Sequence, residues 1–303
     1  MIKRILDLNA SDIKKLNKED ILNSIKAAEG RTVMSEIIGK YPPILGDVSN
    51  VEVACSFGTD IILLNMYDVE NPVINGLEIQ DDENFLRELK DIVGRIVGIN
   101  LEPVDESKEL FDEKIKISEG RLATVNNVKK VLDQGADFIV LTGNPKTGVT
   151  NEKIINTINN IRNELGENVL IIAGKMHSSG NDEEIINQKI VEEFIEAGAD
   201  IILVPAPGTV PGITLQKITD ITSYVHKKNK LIMTTIGTSQ EGSDDYTIKQ
   251  IAINSKMAGV DIHHIGDAGM SPGIATPENI MNYSISIKGK RHTYRRMAKS
   301  IKR

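Results

Sequence analysis

Two reactive side chains lie close together at the end of one apolar run of the chain. Lys175 and His177 belong to the run at residues 169–177, and residues two apart on an extended strand point to the same side. A desolvated lysine can act as a base or a Schiff-base nucleophile, and histidine transfers protons near neutral pH. We therefore expect both to be catalytic. The alternative is that Lys175 only pairs with a neighbouring carboxylate.

Carboxylates end two other apolar runs. Glu102 follows Asn100 with the two-residue spacing that puts both on one face, and Glu36 lies late in the run at 32–39. We expect Glu102 to pair with Lys175 and to transfer protons as the third catalytic residue. Glu36 and Glu102 together could also hold a divalent ion such as Mg²⁺, although two oxygen ligands make a sparse site. No other cofactor is indicated.

Polar residues at the ends of further runs are expected to contact a substrate. This set is Glu36, Asn65, Asn100, Thr142, Asn144 and His264. His263 and His264 alternate in side, so one of them points inward, and the sequence leaves open which one.

Two glycine-rich loops, at residues 237–243 and 266–273, are suited to binding an anion. Glycine lets backbone N–H groups approach an anion, and hydroxyls add further donors. The predicted phosphate-binding residues are Gly237, Thr238, Ser239, Gly266, Asp267 and Gly269. The acids Glu241 and Asp267 could instead hold a metal ion or a sugar hydroxyl.

Eight apolar runs must position these residues, and their spacing predicts a (β/α)₈ TIM barrel. The runs are 32–39, 61–68, 95–102, 138–144, 169–177, 201–207, 231–238 and 261–267. Each is nearly continuous in apolar residues, as in parallel strands that are covered on both faces, and the intervals leave room for one helix each. In such barrels the loops after the strands form the active site, so the polar residues would meet at one mouth.

A repeated Gly-x-Asp motif supports this pairing of elements. It precedes the four even-numbered runs at residues 58–60, 135–137, 198–200 and 259–261. Glycine after a helix can adopt the left-handed conformation that ends it.

We predict one domain over residues 1–303, with residues 1–30 as a helical extension that covers the N-terminal mouth. Residues 103–120 form an insertion, either a lid or a plain surface loop.

Composition excludes several classes of protein. A single cysteine, Cys55, leaves neither an internal disulfide nor a cysteine-rich metal site. The formal net charge is −7, which disfavours nucleic-acid binding, although residues 288–303 carry basic and no acidic side chains. We expect this basic C-terminal tail to form a solvated helix. The alternative is docking on an acidic neighbouring subunit in a homo-oligomer. No secretory signal or membrane span is recognisable, so we expect a cytoplasmic protein.

Eight segments carry a resemblance that spans nearly the whole chain. They are LGDVSNVEVACSFGTDIILLN, GINLEPVD, LTGNPKTGVTN, IIAGKMHSSG, ILVPAPGTVPG, IGTSQE, HHIGDAG and KGKRHTYRRMA. Through them the chain resembles an uncharacterised family of bacterial TIM barrels. Its members are labelled phosphoenolpyruvate phosphonomutase-like and also haloacid dehalogenase-like. The first label implies a barrel that binds Mg²⁺ and a small phosphorylated acid. The sequence lacks both the Lys-Lys-Cys-Gly-His-type loop of phosphonomutases and the Asp-x-Asp motif of haloacid dehalogenases.

These observations predict an enzyme that acts on a small anionic, phosphorylated metabolite at the C-terminal mouth of the barrel. The expected chemistry is that of a lyase, mutase or isomerase next to a carbonyl group. A non-catalytic metabolite-binding barrel and a metal-dependent hydrolase are the alternatives, because a fold of this kind serves many functions.

Overall fold

The chain folds as the predicted (β/α)₈ barrel. The computed structural model describes residues 3–107, 113–178, 183–269 and 273–303. In it, parallel strands close into a ring in sequence order, β1 to β8. The strands are β1 Thr32–Ile37, β2 Ile61–Leu64, β3 Ile96–Leu101, β4 Phe138–Leu141, β5 Ile171–Gly174, β6 Ile201–Pro205, β7 Leu231–Ile236 and β8 Ile262–Ile265.

The helices of the described chain are α1 Ala10–Ile13, α2 Lys18–Lys26, α3 Asn50–Ser56, α4 Phe85–Val93, α5 Val125–Gln134, α6 Asn151–Leu165, α7 Gln188–Ala197, α8 Leu215–Lys227, α9 Asp245–Met257 and α10 Pro277–Ala298. Two of them, α1 and α2, belong to the N-terminal extension, and each strand is followed by one of the helices α3 to α10 on the outside of the ring. Threonines begin three of them: the side chains of Thr124, Thr150 and Thr214 each accept a backbone N–H of the first turn. In the described part of the chain, no helix has the length and apolar character needed to cross a membrane.

Every predicted strand is present, but most end earlier than the apolar runs do. The sheet includes Leu64 and Gly174, whereas the runs continue to residues 68 and 177. Beyond these ends the backbone no longer forms the regular hydrogen bonds of the sheet. The polar residues that follow therefore lie on loops, and their directions do not obey strand alternation.

The Gly-x-Asp motifs have a structural role that the sequence only hinted at. Their glycines, Gly58, Gly135, Gly198 and Gly259, all have positive φ, as helix-ending residues do. Each aspartate then accepts the N–H of the second residue in the preceding odd strand or, for β5, of its first residue. The pairs are Asp60 with Val33, Asp137 with Val97, Asp200 with Ile171 and Asp261 with Ile232, at 2.9–3.0 Å.

Two apolar clusters fill the protein. The outer cluster lies between the strands and the surrounding helices. The inner cluster fills the barrel and continues into the N-terminal extension, where Leu8, Ile21 and Ile25 pack with the inward-facing Met34 and Phe138. The extension thus covers the end of the barrel at which the strands begin.

The basic tail is helical up to Ala298 and largely exposed, as expected, but some of its charged side chains are buried. Lys288 and Arg296 are buried and both bind the carboxylate of Asp60, at 2.5 and 2.9 Å. Arg295 pairs with Asp7, and the Lys299 ammonium donates to the carbonyl oxygen of Asp7. The positive charges therefore serve to fasten the tail to its own barrel and N-terminal extension, because a buried carboxylate needs cations nearby.

We predict that Asp60→Asn lowers the free energy of unfolding by about 3–5 kcal/mol, since it leaves Lys288 and Arg296 buried without a counter-charge. Urea denaturation would measure the change. The control Glu193→Gln removes a carboxylate from an exposed pair with Lys189 and should change stability by no more than about 0.5 kcal/mol. An equal effect of the two substitutions would refute the structural role of the Asp60 cluster.

Candidate functional site

The barrel interior changes from apolar to polar near the C-terminal ends of the strands. Met34, Leu63 and Ile262 point into the inner apolar cluster, and two residues further on the same faces carry Glu36, Asn65 and His264. The register pairs Glu36 with Leu63 and His264 with Met34, and a Glu36 carboxyl oxygen lies 3.2 Å from His264 Nε2, so the polar layer begins at neighbouring positions of adjacent strands. His264 is therefore the inward histidine, whereas His263 packs outward against the Tyr283 ring.

Above this polar layer lies a cavity of about 580 Å³. We call it the main cavity. Its lining includes Glu36, Asn65, Asn100, Thr142, Asn144, His177, Gly237, Thr238, Ser239, Glu241 and Asp267. The structure thus brings together most residues that the sequence assigned to substrate and phosphate binding. Three non-glycine residues with positive φ also line it: Met66, Lys146 and Ser239. Such strained backbone persists where the surrounding structure fixes it, often at functional sites.

Three side-chain amides form a rigid network on one wall of the cavity. Asn65 and Asn144 exchange two hydrogen bonds, at 2.9 and 3.0 Å. Asn100 donates to the Asn65 carbonyl oxygen at 3.2 Å and accepts the Thr142 N–H at 3.3 Å. Asn65 also donates to Asp267 at 2.8 Å. The network holds Asp267 in place, because its partner amide is itself fixed on several sides.

Glu36 is an acid in an environment that disfavours its charge. Its carboxyl group is almost completely buried. Burial, together with the negative charges of Glu241 and Glu102, raises the pKa of Glu36 to about 8. The nearest ring is His264, with Nε2 3.2 Å from a Glu36 carboxyl oxygen. Burial lowers the pKa of His264 to about 4. At neutral pH the two groups are therefore a neutral acid beside a neutral imidazole, not an ion pair.

A second carboxyl group faces the same space. Burial, followed by the charge of Glu36, raises the pKa of Asp267 to about 7. Burial also raises the pKa of Glu241, whose Oε1 accepts the Ala268 N–H and whose Oε2 has no hydrogen-bond partner among the described residues. Glu36 and Asp267 thus exchange protons in the range where most enzymes work.

The carboxylate of Glu102 is hydrogen-bonded to other residues of the protein. One of its carboxylate oxygens accepts from Arg121 and the other accepts the Asn144 N–H at 2.9 Å. Glu36 lines the main cavity and Glu102 does not, so the structure does not bring the predicted magnesium pair together there. Within the ranges that the structure describes, no group of three or more acidic, histidine or cysteine side chains could hold a metal ion.

Lys175 forms the kind of ion pair that the sequence analysis gave as the alternative to a catalytic role. Its buried ammonium pairs with Glu183, whose carboxylate also accepts the N–H of Asn151 at the start of α6. His177 lines the main cavity and Lys175 does not. The two residues follow the end of β5 at Gly174, so strand alternation no longer sets their directions. Lys175 still acts on His177 electrostatically. Burial, and next the positive charge of Lys175, lower the pKa of His177.

The two glycine-rich loops play different parts. Gly237, Thr238 and Ser239 line the cavity, and their backbone N–H groups have no backbone acceptor in the described structure. Gly266 and Gly269 do not line it. The Gly266 N–H donates to Ile236, and Gly269 packs against the backbone of Ala275 and Thr276. Residues 270–272 lie outside the described residues, as do residues 108–112 of the predicted lid.

Sequence reasoning missed several residues of the site. Tyr41, Met66 and Met176 line the main cavity, and Arg121 holds Glu102. A buried carboxylate predicts a cationic partner, so Glu102 was a usable signal. It could not identify Arg121, which comes from the far end of the 103–120 insertion and returns beside β3 through the bridge between Glu102 and Leu122.

Comparison with known proteins identifies a family and a fold. The family model described as "Domain of unknown function (DUF7916)" matches residues 6–303. No curated protein matches the sequence.

Solved structures with a similar fold are enzymes. A thiamine phosphate pyrophosphorylase from Pyrococcus furiosus has a TM-score of 0.50 and 13% identity, covering 86% of this chain and 98% of that one. A 2,3-dimethylmalate lyase, a member of the PEP mutase/isocitrate lyase superfamily, has a TM-score of 0.50 and 11% identity, covering 87% and 82%. At these identities the likeness concerns the fold alone.

The raised pKa of Glu36 predicts how Glu36→Gln changes stability with pH. Folded protein keeps the Glu36 proton up to about pH 8, whereas an unfolded chain releases it near 4.5. The wild type therefore loses stability as pH rises through this window, and the glutamine variant does not. We expect the variant to gain on the order of 4 kcal/mol relative to wild type between pH 5 and pH 9. Urea denaturation at both pH values measures this. A difference that does not vary with pH would contradict the assignment.

The position of Lys175 predicts that it forms no Schiff base. An ammonium group held in an ion pair has no lone pair with which to attack a carbonyl carbon. Borohydride reduction with small ketones and aldehydes should therefore leave Lys175 unmodified in a peptide mass map. An adduct on Lys175 that disappears in Lys175→Met would restore the original prediction of a nucleophilic lysine.

Proposed function

We propose that this chain, which belongs to the DUF7916 family, is an enzyme that transfers protons next to the carbonyl group of a small anionic metabolite. One observation carries the proposal: two buried carboxyl groups, Glu36 and Asp267, face one cavity with pKa values of about 8 and about 7. General acid–base catalysis works best when the pKa lies near the working pH. Isomerase- or lyase-type reactions need this kind of proton transfer.

Glu36 suits the role of general acid. It is protonated at neutral pH, so it can donate a hydrogen bond, and then its proton, to a carbonyl oxygen. Asp267 suits the role of base, because near pH 7 about half of it is ionised. Removal of a proton from the carbon beside the carbonyl, with protonation of the oxygen, gives an enol. Return of a proton at a different atom completes an isomerisation.

The neighbouring residues position the reacting groups. Asn65 orients Asp267 through a hydrogen bond of 2.8 Å, and the other two amides fix Asn65. His177 lines the cavity, and its lowered pKa favours the neutral imidazole, which can accept a proton. In this proposal Glu102 and Lys175 are positioning residues: Glu102 holds the Asn144 loop, and Lys175 fastens its own loop to α6 through Glu183.

The anionic part of the substrate is proposed to meet the loop after β7. Three consecutive residues there, Gly237 to Ser239, present backbone N–H groups without backbone acceptors in the described structure. Gly237 has no room for a side chain, since a Cβ atom would lie 2.8 Å from the Met176 sulfur. Backbone donors of this kind bind phosphate or carboxylate. The cavity volume of about 580 Å³ is sufficient for a small metabolite.

Solvent hydrogen exchange provides a test that works even when the final product of the reaction is unidentified. Purified protein is incubated in deuterated buffer with a panel of small carbonyl acids, with and without a phosphate group, and deuterium at the carbon beside the carbonyl is followed by NMR. We expect at least one panel member to exchange. Glu36→Gln and Asp267→Asn should each slow that exchange by about 100-fold or more, since each removes a proton-transferring group.

The control variant is Glu193→Gln, a carboxylate on the outer helix α7 that lies outside the cavity. Its exchange rate should equal that of the wild type. Binding of a panel member without any exchange would refute the catalytic proposal and favour a non-catalytic metabolite-binding barrel. Exchange that survives in both cavity variants would refute the assigned residues.

A further inference from the structure

A second cavity, of about 250 Å³, lies next to the main one. Asn65 and Met66 line both. The remaining lining comes from the loops after β1 and β2 and from the end of the 103–120 insertion, and its charged members are Lys40, Asp68 and Arg121. None of these three takes part in the proposed proton transfer.

Arg121 is an incompletely satisfied cation in this second cavity. A guanidinium group has five N–H donors. In the described structure one protein acceptor meets it, the Glu102 carboxylate at Nη2. Its Nε is buried with no hydrogen-bond partner, and the side chain is only 11% exposed. The remaining nitrogen, Nη1, is not buried and has no protein acceptor among the described residues, so it is open to an acceptor in the cavity.

Lys40 adds a second positive charge without a close counter-charge. Within the described ranges it has no carboxylate in ion-pair distance, although it lines the same cavity as Arg121. Burial, and next the positive charge of Arg121, lower the pKa of Lys40. The two cations therefore act on each other across the cavity, and an anion between them would relieve that repulsion.

Asp68 places a negative charge on the wall of this second cavity. Its Oδ1 accepts the Glu70 N–H at 3.0 Å and lies against Gly120, where a Cβ atom would be 1.8 Å away. The carboxylate is thus fixed by the backbone and forms no ion pair with Lys40 or Arg121 in the described structure. It weakens the attraction of the cavity for anions without neutralising either cation directly.

We infer that Lys40 and Arg121 form a binding site for a small oxyanion, a carboxylate or a phosphate, in the cavity beside the catalytic one. Guanidinium and ammonium groups both form charge-assisted hydrogen bonds with carboxylate and phosphate oxygens. The site lies apart from the loop after β7, and its occupancy is measured by ion binding without any turnover.

The test is calorimetric titration of the full chain with inorganic phosphate and, separately, with acetate. We expect Lys40→Met to weaken binding of at least one of the two ions by about tenfold, because it removes a charge-assisted contact. We expect Asp68→Asn to strengthen the same binding several-fold, since the amide keeps the acceptor for the Glu70 N–H and removes the repulsive charge. A gain in affinity cannot come from partial unfolding.

Two control variants separate this site from others. Lys189→Met removes an exposed lysine from α7 and should leave the affinity unchanged. Gly237→Ala narrows the loop after β7 and so removes binding at that loop, and the component of ion binding that Lys40→Met weakens should persist in it. If neither ion binds, if Lys40→Met has no effect, or if Gly237→Ala alone abolishes binding, the inference is overturned. Hydrogen exchange in the same variants reports separately on the proposed catalytic function.

Discussion

Four buried aspartates at the start of the even strands hold the barrel in register, and the rest of the molecule depends on that register. Each joins an even strand to the strand before it through a backbone N–H. In a parallel sheet a shift of one residue turns every side chain to the opposite face. Such a shift between β1 and its neighbours would remove Glu36 from the interior. These aspartate hydrogen bonds at the N-terminal end of the barrel therefore determine which side chains meet at its C-terminal mouth.

Buried carboxyl groups at the two ends of the barrel have pKa values that are shifted in opposite directions. At the base, Asp60 is surrounded by Lys288 and Arg296, and despite its burial these cations lower its pKa. At the mouth, Glu36 is equally buried but lies beside other acids, so its pKa rises to about 8. An arrangement that served stability alone would pair the upper carboxyl groups as well. Their lack of cations in the described structure is what makes them suitable for proton transfer.

The sequence predicted those parts of the structure that depend on short-range periodicity. Position at the strand ends is what brings Glu36, Asn65, Asn100 and Thr142 to one cavity, because each lies on a strand or directly at its end. Strand alternation does not extend to Lys175, since β5 ends at Gly174 and a loop has no fixed alternation. Contacts between residues far apart in the chain, such as Asp60 with Arg296, could not be derived from spacing. They depend on how the tail returns across the barrel.

In the described part of the chain, non-glycine residues with positive φ occur at both ends of the barrel: Glu29 and Asn229 precede β1 and β7, and the others line the main cavity. Non-glycine residues rarely adopt positive φ, because the Cβ atom crowds the backbone. Met66, Lys146 and Ser239 do so at three separate loops, after β2, β4 and β7, and all three line the main cavity. Strain at three loops can persist only if the elements beneath them are firmly held. The amide network around Asn65 and the four buried aspartates at the base of the barrel supply that support. The loops can therefore keep conformations that their sequences alone would not favour.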